Sequence, residues 1–447
     1  MSLSRKINLL QASAINVIDM VGIGPFVVLP LVISYFNSNL FLYAWIFGAI
    51  VALIDGMIWS ELGAKYPLAG GTYNFHRVAF GEKGGRLMSF LFVWQTSIQA
   101  PLVAASAAIG FADYLEYFVT NGHHYLNEHY KQLISVLVIL IVTALLYRRI
   151  EAVGKISVIF SAIVIVTILW IVFSGFSNKQ VDYNFMPDRF DDFFKMSFWV
   201  AMGHASVKTV YSYLGYYNVC HLGSEIVRPE KNIPRSIFVS IFIVAILYLF
   251  MNVAVVNIIP WQEAQNSRHV VSIFFEKIYG NQVARIATAL ILLAAFSSLF
   301  ALLLGYSRIP YAAAIDGNFF KVFSKLHPTK NFPYISLLFI SGLAIIFAVC
   351  FSLHQTINAI LATRIIIQFI GQAVGIVLLR KRFGTSGLPF KIWLYPLPVI
   401  LSIGIWLFLF VSTGWFAVYG SLIAVTGVVV FFVSKGVNSR RSTVDRN

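Results

Sequence analysis

Apolar residues run through this chain in stretches of about 20, set apart by short clusters of charge, proline and glycine. That length crosses the hydrocarbon core of a bilayer as a helix. The pattern predicts about twelve helices: 13–35, 40–62, 87–118, 132–147, 154–175, 193–222, 236–259, 283–305, 334–351, 356–379, 394–411 and 415–434. The expected fold class is therefore an all-α polytopic membrane protein. No long hydrophilic insertion interrupts the helices, and on the side of the ladder away from the amino terminus the largest loops are only 120–131, 176–192 and 260–282, so a single membrane domain is expected over residues 1–447.

Composition agrees with the pattern. The chain is 59% hydrophobic and 11% charged, against roughly 25% charged in an ordinary soluble domain. Its formal net charge of +15 raises the question of nucleic acid. The positions of the charges answer it, because Lys and Arg sit in the short segments between helices and form no basic patch. On one side of the helix ladder these segments carry only Lys131, Lys179, Arg189, Lys195, Arg268, Lys277 and Arg285, while the amino-terminal side carries most of the 33 basic residues. The positive-inside rule then places residues 1–12, the tail 435–447 and both termini in the cytoplasm. The first apolar stretch is too long for a cleaved leader and lacks its small-residue site, so it is read as a retained span. Compact termini and short loops fit a bacterial inner (cell) membrane. The polar tail is expected to be disordered, with Arg440, Arg441 and Arg446 near anionic lipid at most.

Two of the expected helices carry interruptions. Val21-Gly22-Ile23-Gly24-Pro25-Phe26 stands in the middle of the first, where two glycines loosen the helix and Pro25 removes a hydrogen bond. Backbone freed at that depth has to line a cavity or be buried in protein, and the half-helix starting near Gly24 offers amide donors and a positive dipole end. Taken alone, this is equally the mark of a packing kink. A second interruption, Tyr211-Ser212-Tyr213-Leu214-Gly215-Tyr216, falls in helix 6. Paired breaks five helices apart are the pattern of a five-plus-five inverted repeat, with the substrate held between the broken helices. The first repeat is expected at 13–175, the second at 193–379, and helices 11 and 12, at 392–434, lie peripheral to both.

The residues at these places resemble the amino acid/polyamine/organocation superfamily of secondary transporters. Five stretches carry the resemblance in order: Gly22 to Phe26, Tyr66-Pro67-Leu68-Ala69-Gly70-Gly71-Thr72-Tyr73, Glu225 to Arg235, Ser307-Arg308 through Asp316-Gly317 to His327-Pro328, and Pro389-Phe390-Lys391 with Tyr395-Pro396. The resemblance implies a substrate carboxylate at the amides of Ile23, Gly24 and Phe26, and a substrate amine at carbonyls near Asp19 to Val21 and Tyr211 to Leu214. Tyr211 stands where the family often has an aromatic gate, and Gly22, Ser212 and Gly215 complete the breaks. Pro25 and Leu214 depart from the family's usual residues, the first removing an amide donor and the second narrowing the site. A Gly-Gly-Pro-Phe version of the break in plant polyamine carriers keeps an amine substrate open.

Ionisable and polar residues in the spans add candidates. Asp19 precedes Gly22 by three residues and so points toward the break, as a cation ligand or a proton carrier, or else as half of an ion pair. The lysine that many proton-coupled relatives carry in helix 5 is missing, since Val164 and Ile165 stand there. Lys208 is the substitute candidate, with snorkelling toward the interface as its ordinary alternative. Gln95 and Gln99 share a face of helix 3 and suit a substrate side chain, while Ser297 and Ser298 fall near the family's ion or proton site. Asp55 and Arg364 are read as members of structural pairs with unknown partners, and Glu225, Arg228 and Arg235 as a cytoplasmic charge network.

Other functions have weaker support. Gly154-Lys155 lacks the remainder of a phosphate loop and no His-Glu-x-x-His occurs, so an enzyme is not expected. His123, His124 and His129 with Glu128 fit a solvated loop better than a metal site, and no metal or cofactor is expected. Cys220 and Cys350 support no disulfide framework. The loop after helix 3 has no cysteine for the disulfide that joins some animal relatives to a glycoprotein subunit, so no such heavy chain is expected. A channel would not need paired breaks, and a substrate sensor on a carrier fold stays open. The reading is a secondary active carrier of a small amino acid, by proton symport, with amino-acid exchange or polyamine and organic-cation transport as alternatives. Lipid and the substrate are its expected partners.

Overall fold

The first expected helix is two helices in the computed structural model. They are α1 (Leu9–Met20) and α2 (Gly24–Phe36), bent by 43° across residues 21–23. The structure describes residues 3–36, 38, 40–120, 126–148, 150–180 and 193–444. After α2 come α3 (Phe41–Lys65), the short α4 (Thr72–Ala79), α5 (Gly81–Thr120), α6 (Glu128–Leu146) and α7 (Ile150–Ser177). The second half opens with α8 (Met196–Tyr213) and the single turn α9 (Asn218–His221), separated by the unwound residues 214–217. It continues with α10 (Pro229–Val256), α11 (Trp261–Ala264), α12 (Val270–Tyr279), α13 (Asn281–Tyr306) and α14 (Arg308–Ile315). The chain then forms α15 (Tyr334–Cys350), α16 (Leu353–Arg364), α17 (Gly371–Phe383), α18 (Leu397–Ser412) and α19 (Phe416–Val444).

Among the described residues there is no strand, only two isolated bridges, Ile7 with Ile226 and Ala69 with Leu222. By length and composition, eight helices among the described residues qualify to cross a membrane, and the bent α1–α2 pair makes nine; α15 and α18 are shorter apolar helices. The protein is all-α and polytopic. The expected number of twelve is larger than this test yields because α8, α15 and α18 fall outside it.

Four boundaries differ from expectation for identifiable reasons. Residues 260–282, read as a loop, contain α11 and α12, whose apolar side buries Val270, Val271, Phe274 and Phe275. The segment between helices 2 and 3 folds as α4 after Gly70 and Gly71, whose positive φ values of 97° and 50° turn the chain back. The last helix passes its expected end at Ser434 and runs into the tail as far as Val444. Helix 10 is not α-helical throughout: between α16 and α17, residues Ile365–Ile370 form a π-helical turn. His123 and His124 lie outside the described residues, and among those described no group of His, Cys, Asp or Glu is arranged to hold a metal.

The broken helices occupy the middle of the molecule. α1 packs on α7, α10 and α13, α2 on α8, and α3 on both α8 and α10. Most of α1 is buried, although its polar Asn16 and Ser13 are buried with it. Such a helix is wrapped by protein rather than lipid, as a discontinuous span has to be.

Candidate functional site

Where the two breaks meet, Gly215 is the hinge of contact. Its φ of 122° lies where side chains strain the backbone. A Cβ there would stand 2.7 Å from the Met20 nitrogen and 2.8 Å from the Asp19 carbonyl carbon. Leu214 can therefore be large, because Gly215 alone makes the close approach. Gly22 and Gly24 are similarly confined, against Ser298 and against Ser212 and Tyr211.

The unwinding frees carbonyls that the sequence does not match to partners. Tyr248, reaching in from α10, supplies them: its hydroxyl stands 2.8 Å from the Met20 carbonyl and 3.1 Å from the Ser212 carbonyl, so one proton is shared between both breaks. Asn16 accepts the Val219 amide at 3.0 Å, and Asn218 donates to the Ala301 carbonyl at 2.8 Å. Buried backbone groups without such partners are costly.

Between the breaks lies a cavity of about 40 Å³, room for about three waters at roughly 10–15 Å³ each. Its lining includes Asp19, Gly22, Ile23, Gly24, Tyr211, Ser212, Leu214, Gly215 and Ser298 among the expected residues. Tyr211 shares a hydrogen bond with Ser106 at 2.9 Å, and Ser298 Oγ donates to the Asp19 carbonyl at 3.3 Å. Tyr217, Tyr306 and Arg364 line it as well.

Other expected residues stand elsewhere. Phe26 is buried, and its amide donates to the Ile23 carbonyl at 3.1 Å, closing the first turn of α2. Gln99 and Gln95 are buried about one and two turns along α5 from Val103, the nearest cavity residue of that helix. Ser297 donates to the Ala294 carbonyl within its own helix at 2.8 Å. Lys208 is buried beyond the lining and donates to Asn358. Asp55 finds partners that are not basic: it accepts from the Tyr216 hydroxyl at 2.6 Å and from the Trp406 indole at 3.2 Å, anchoring the second break from α3 and α18.

The two ends of the bundle differ. On the face holding residues 6–8, the Glu225 carboxylate and the Arg308 guanidinium form a buried pair at 2.8 and 3.2 Å. The amides of Lys6 and Ile7 donate to the Glu225 carbonyl at 2.9 Å, and Gly70 donates to His221 at 2.9 Å. Glu61 accepts from Arg380 at 2.8 Å and from the Ile392 amide at 2.7 Å, while Arg77 pairs with Asp316. Of the expected charge network, Glu225 belongs to this layer. Arg235 is exposed, and Arg228 adopts a left-handed conformation before α10. The opposite face opens into a cavity of about 530 Å³, where Lys131 bridges Glu116 at 2.9 Å and Asp113 at 3.3 Å.

His76, on α4 between the membrane-crossing helices, supports the π turn: its Nε2 meets the Ile367 carbonyl at 2.8 Å. Donation to that carbonyl requires the proton on Nε2. Burial lowers its pKa from 6.5 to about 4. The unfolded chain takes up this proton as pH falls below 6.5 and the folded protein does not until about 4, so stability is full above 6.5 and declines across that window. The loss is at most about 3 kcal/mol. The melting temperature of the purified protein should fall more steeply from pH 6.5 to 4 than that of His76→Gln, which keeps a donor but does not titrate; parallel curves would refute this.

Comparison with known proteins agrees with this geometry. The profile of the family described as amino acid permease matches residues 7–442. The chain is 22% identical to the branched-chain amino acid permease BcaP of Bacillus subtilis, over 98% of this chain and 95% of that protein. It is 26% identical to the serine/threonine exchanger SteT of the same organism, over 90% of this chain and 89% of that protein. It is also 25% identical to human cationic amino acid transporter 4, over 85% of this chain, which spans 60% of that longer protein. With two unwound segments meeting around a central cavity and a match from Ile7 almost to the end, the chain belongs to the amino acid permease family, among the transporters of the amino acid/polyamine/organocation superfamily.

Proposed function

We propose that this protein carries a small amino acid across the membrane by alternating access, as a proton symporter. The observation that carries the reading is the contact of the two breaks around the central cavity, in a chain of this family. The amide end near Gly22 to Gly24 suits the substrate carboxylate, Asp19 suits the ammonium or the coupled proton, and Tyr211 closes over both. A cavity of about 40 Å³ is too small for an amino acid, so loading requires the breaks to separate. The larger cavity on the opposite face and the ionic layer on the amino-terminal face fit a state sealed toward the side we assign to the cytoplasm. Exchange is the second reading, favoured by the similarity to a serine/threonine exchanger.

Uptake of a radiolabelled amino-acid pool by the protein in liposomes tests this. Saturable uptake that rises with an inward proton gradient is the expected result. Uptake only with internal amino acid would replace symport by exchange. Polyamine uptake without amino-acid uptake would overturn the substrate assignment.

A further inference from the structure

One lining residue has chemistry that an amino acid's backbone does not require. Arg364 ends α16, and the π turn starts at the next residue. Its guanidinium is buried, with the residue 1% exposed, and it lines the central cavity. The hydrogen bonds it makes go to neutral groups, from Nε to Gln368 Oε1 at 3.2 Å and from a terminal nitrogen to the Tyr306 hydroxyl. The faces of Tyr217, Tyr306 and Phe369 stand 5.2, 5.7 and 5.7 Å from it. Such faces steady a cation without cancelling its charge. Among the described residues, the ion pairs closer than 4.0 Å include none between Arg364 and a carboxylate, although Asp19 lines the same cavity and lies within electrostatic reach. A buried guanidinium has five donors, and its strongest partner is a carboxylate that accepts two in parallel.

The position of Arg364 decides which carboxylate. Gly22 and Gly24 abut Ser298, Ser212 and Tyr211, whereas Arg364 stands against Tyr217 and Tyr306 on the same cavity. Asp19 lines the same cavity, its carbonyl tied to Ser298. Asp19 and Arg364 are the charged residues of this lining, so an amino acid with its α-carboxylate at the glycine break and its ammonium beside Asp19 has Arg364 left for its side chain.

We propose that Arg364 receives a carboxylate at the end of the substrate's side chain, so that the cargo is an acidic amino acid of aspartate or glutamate size. This rests on the amino-acid carrier reading above. A neutral side chain leaves the guanidinium unmatched, and a cationic one brings like charges together in a medium of low dielectric. The same residue therefore disfavours polyamines and lysine.

The test is competition and binding with the full-length protein. In liposomes, unlabelled L-glutamate or L-aspartate should inhibit uptake at least tenfold more strongly than L-leucine or L-lysine. Arg364→Gln should raise the half-saturation concentration for the acidic substrate by about tenfold to a hundredfold, the scale of losing a charged hydrogen-bond partner. Half-saturation for a neutral amino acid should change by less than about threefold, a split that a merely structural role would not produce. Arg364→Lys keeps the charge without the fork and should fall between. Selective thermal stabilisation of the purified wild-type protein by L-glutamate supports the inference even if no uptake occurs, an outcome that sinks the carrier reading instead. Wild-type preference for neutral amino acids, absence of both stabilisation and competition by acidic ones, or an equal loss for all substrates in Arg364→Gln each overturn it.

Discussion

Gly215→Ala should abolish transport and lower the melting temperature. The added methyl meets backbone on the opposite break, the Met20 nitrogen at 2.7 Å and the Asp19 carbonyl carbon at 2.8 Å, so no side chain can rotate away to make room. The φ of 122° adds strain of order 1–3 kcal/mol. Relief requires the two unwound segments to part, which opens the site and strips Met20 and Ser212 of their common partner Tyr248. Gly404, in contrast, has open space where a Cβ would go, so Gly404→Ala is the control for a general effect of the substitution. Folded Gly215→Ala protein with wild-type uptake would show that the two breaks do not need to touch.

Glu225→Ala should unseal the amino-terminal face. It leaves Arg308 buried without its counter-ion, a change that typically costs about 3–5 kcal/mol. Part of that cost falls on the sealed arrangement itself, which shifts the balance toward a state open on that face. Cys220 is a built-in reporter: it is buried in α9, five residues before Glu225, with its thiol against the Trp59 carbonyl at 3.8 Å. In a Cys350→Ala background, which removes the exposed thiol, maleimide should label Cys220 at least about tenfold faster after Glu225→Ala, since each 1.4 kcal/mol of opening is a tenfold change in population. Equal labelling in both backgrounds, with an unchanged melting temperature, would mean that the Glu225–Arg308 pair does not hold the face shut.

The break near Gly22 is legible in the sequence because glycine and proline act on the backbone locally. The second break is legible only in place. The pattern Tyr211 to Tyr216 marks it, but that Gly215 rather than Leu214 makes the close approach depends on the fold of residues almost two hundred positions away. Partners in three dimensions are less legible still. Asp55 has the appearance of half an ion pair in a hydropathy plot, yet its partners are a hydroxyl on the second break and an indole on α18. Lys208 and Arg364 look alike as lone cations in apolar runs, and the sequence favours Lys208 because it is close to Tyr211. The structure puts Arg364 on the cavity and Lys208 away from it. The π turn adds a further obstacle: an inserted residue rotates the helix that follows by about 100°, so α-helical periodicity read through helix 10 assigns the wrong face beyond Arg364. Tyr248 gives no local signal, being one tyrosine in an ordinary apolar helix until the carbonyls it meets are known.

A hydroxyl has one proton to give, and Tyr248 holds it between two carbonyls from opposite halves of the chain. If one break shifts, the proton leans toward the other, and the free energy of each segment then depends on where its counterpart stands. Tyr248 is thus a differential in the mechanical sense, linking two moving parts through one shared member. A shift at either break is thereby registered at the other through this shared hydroxyl.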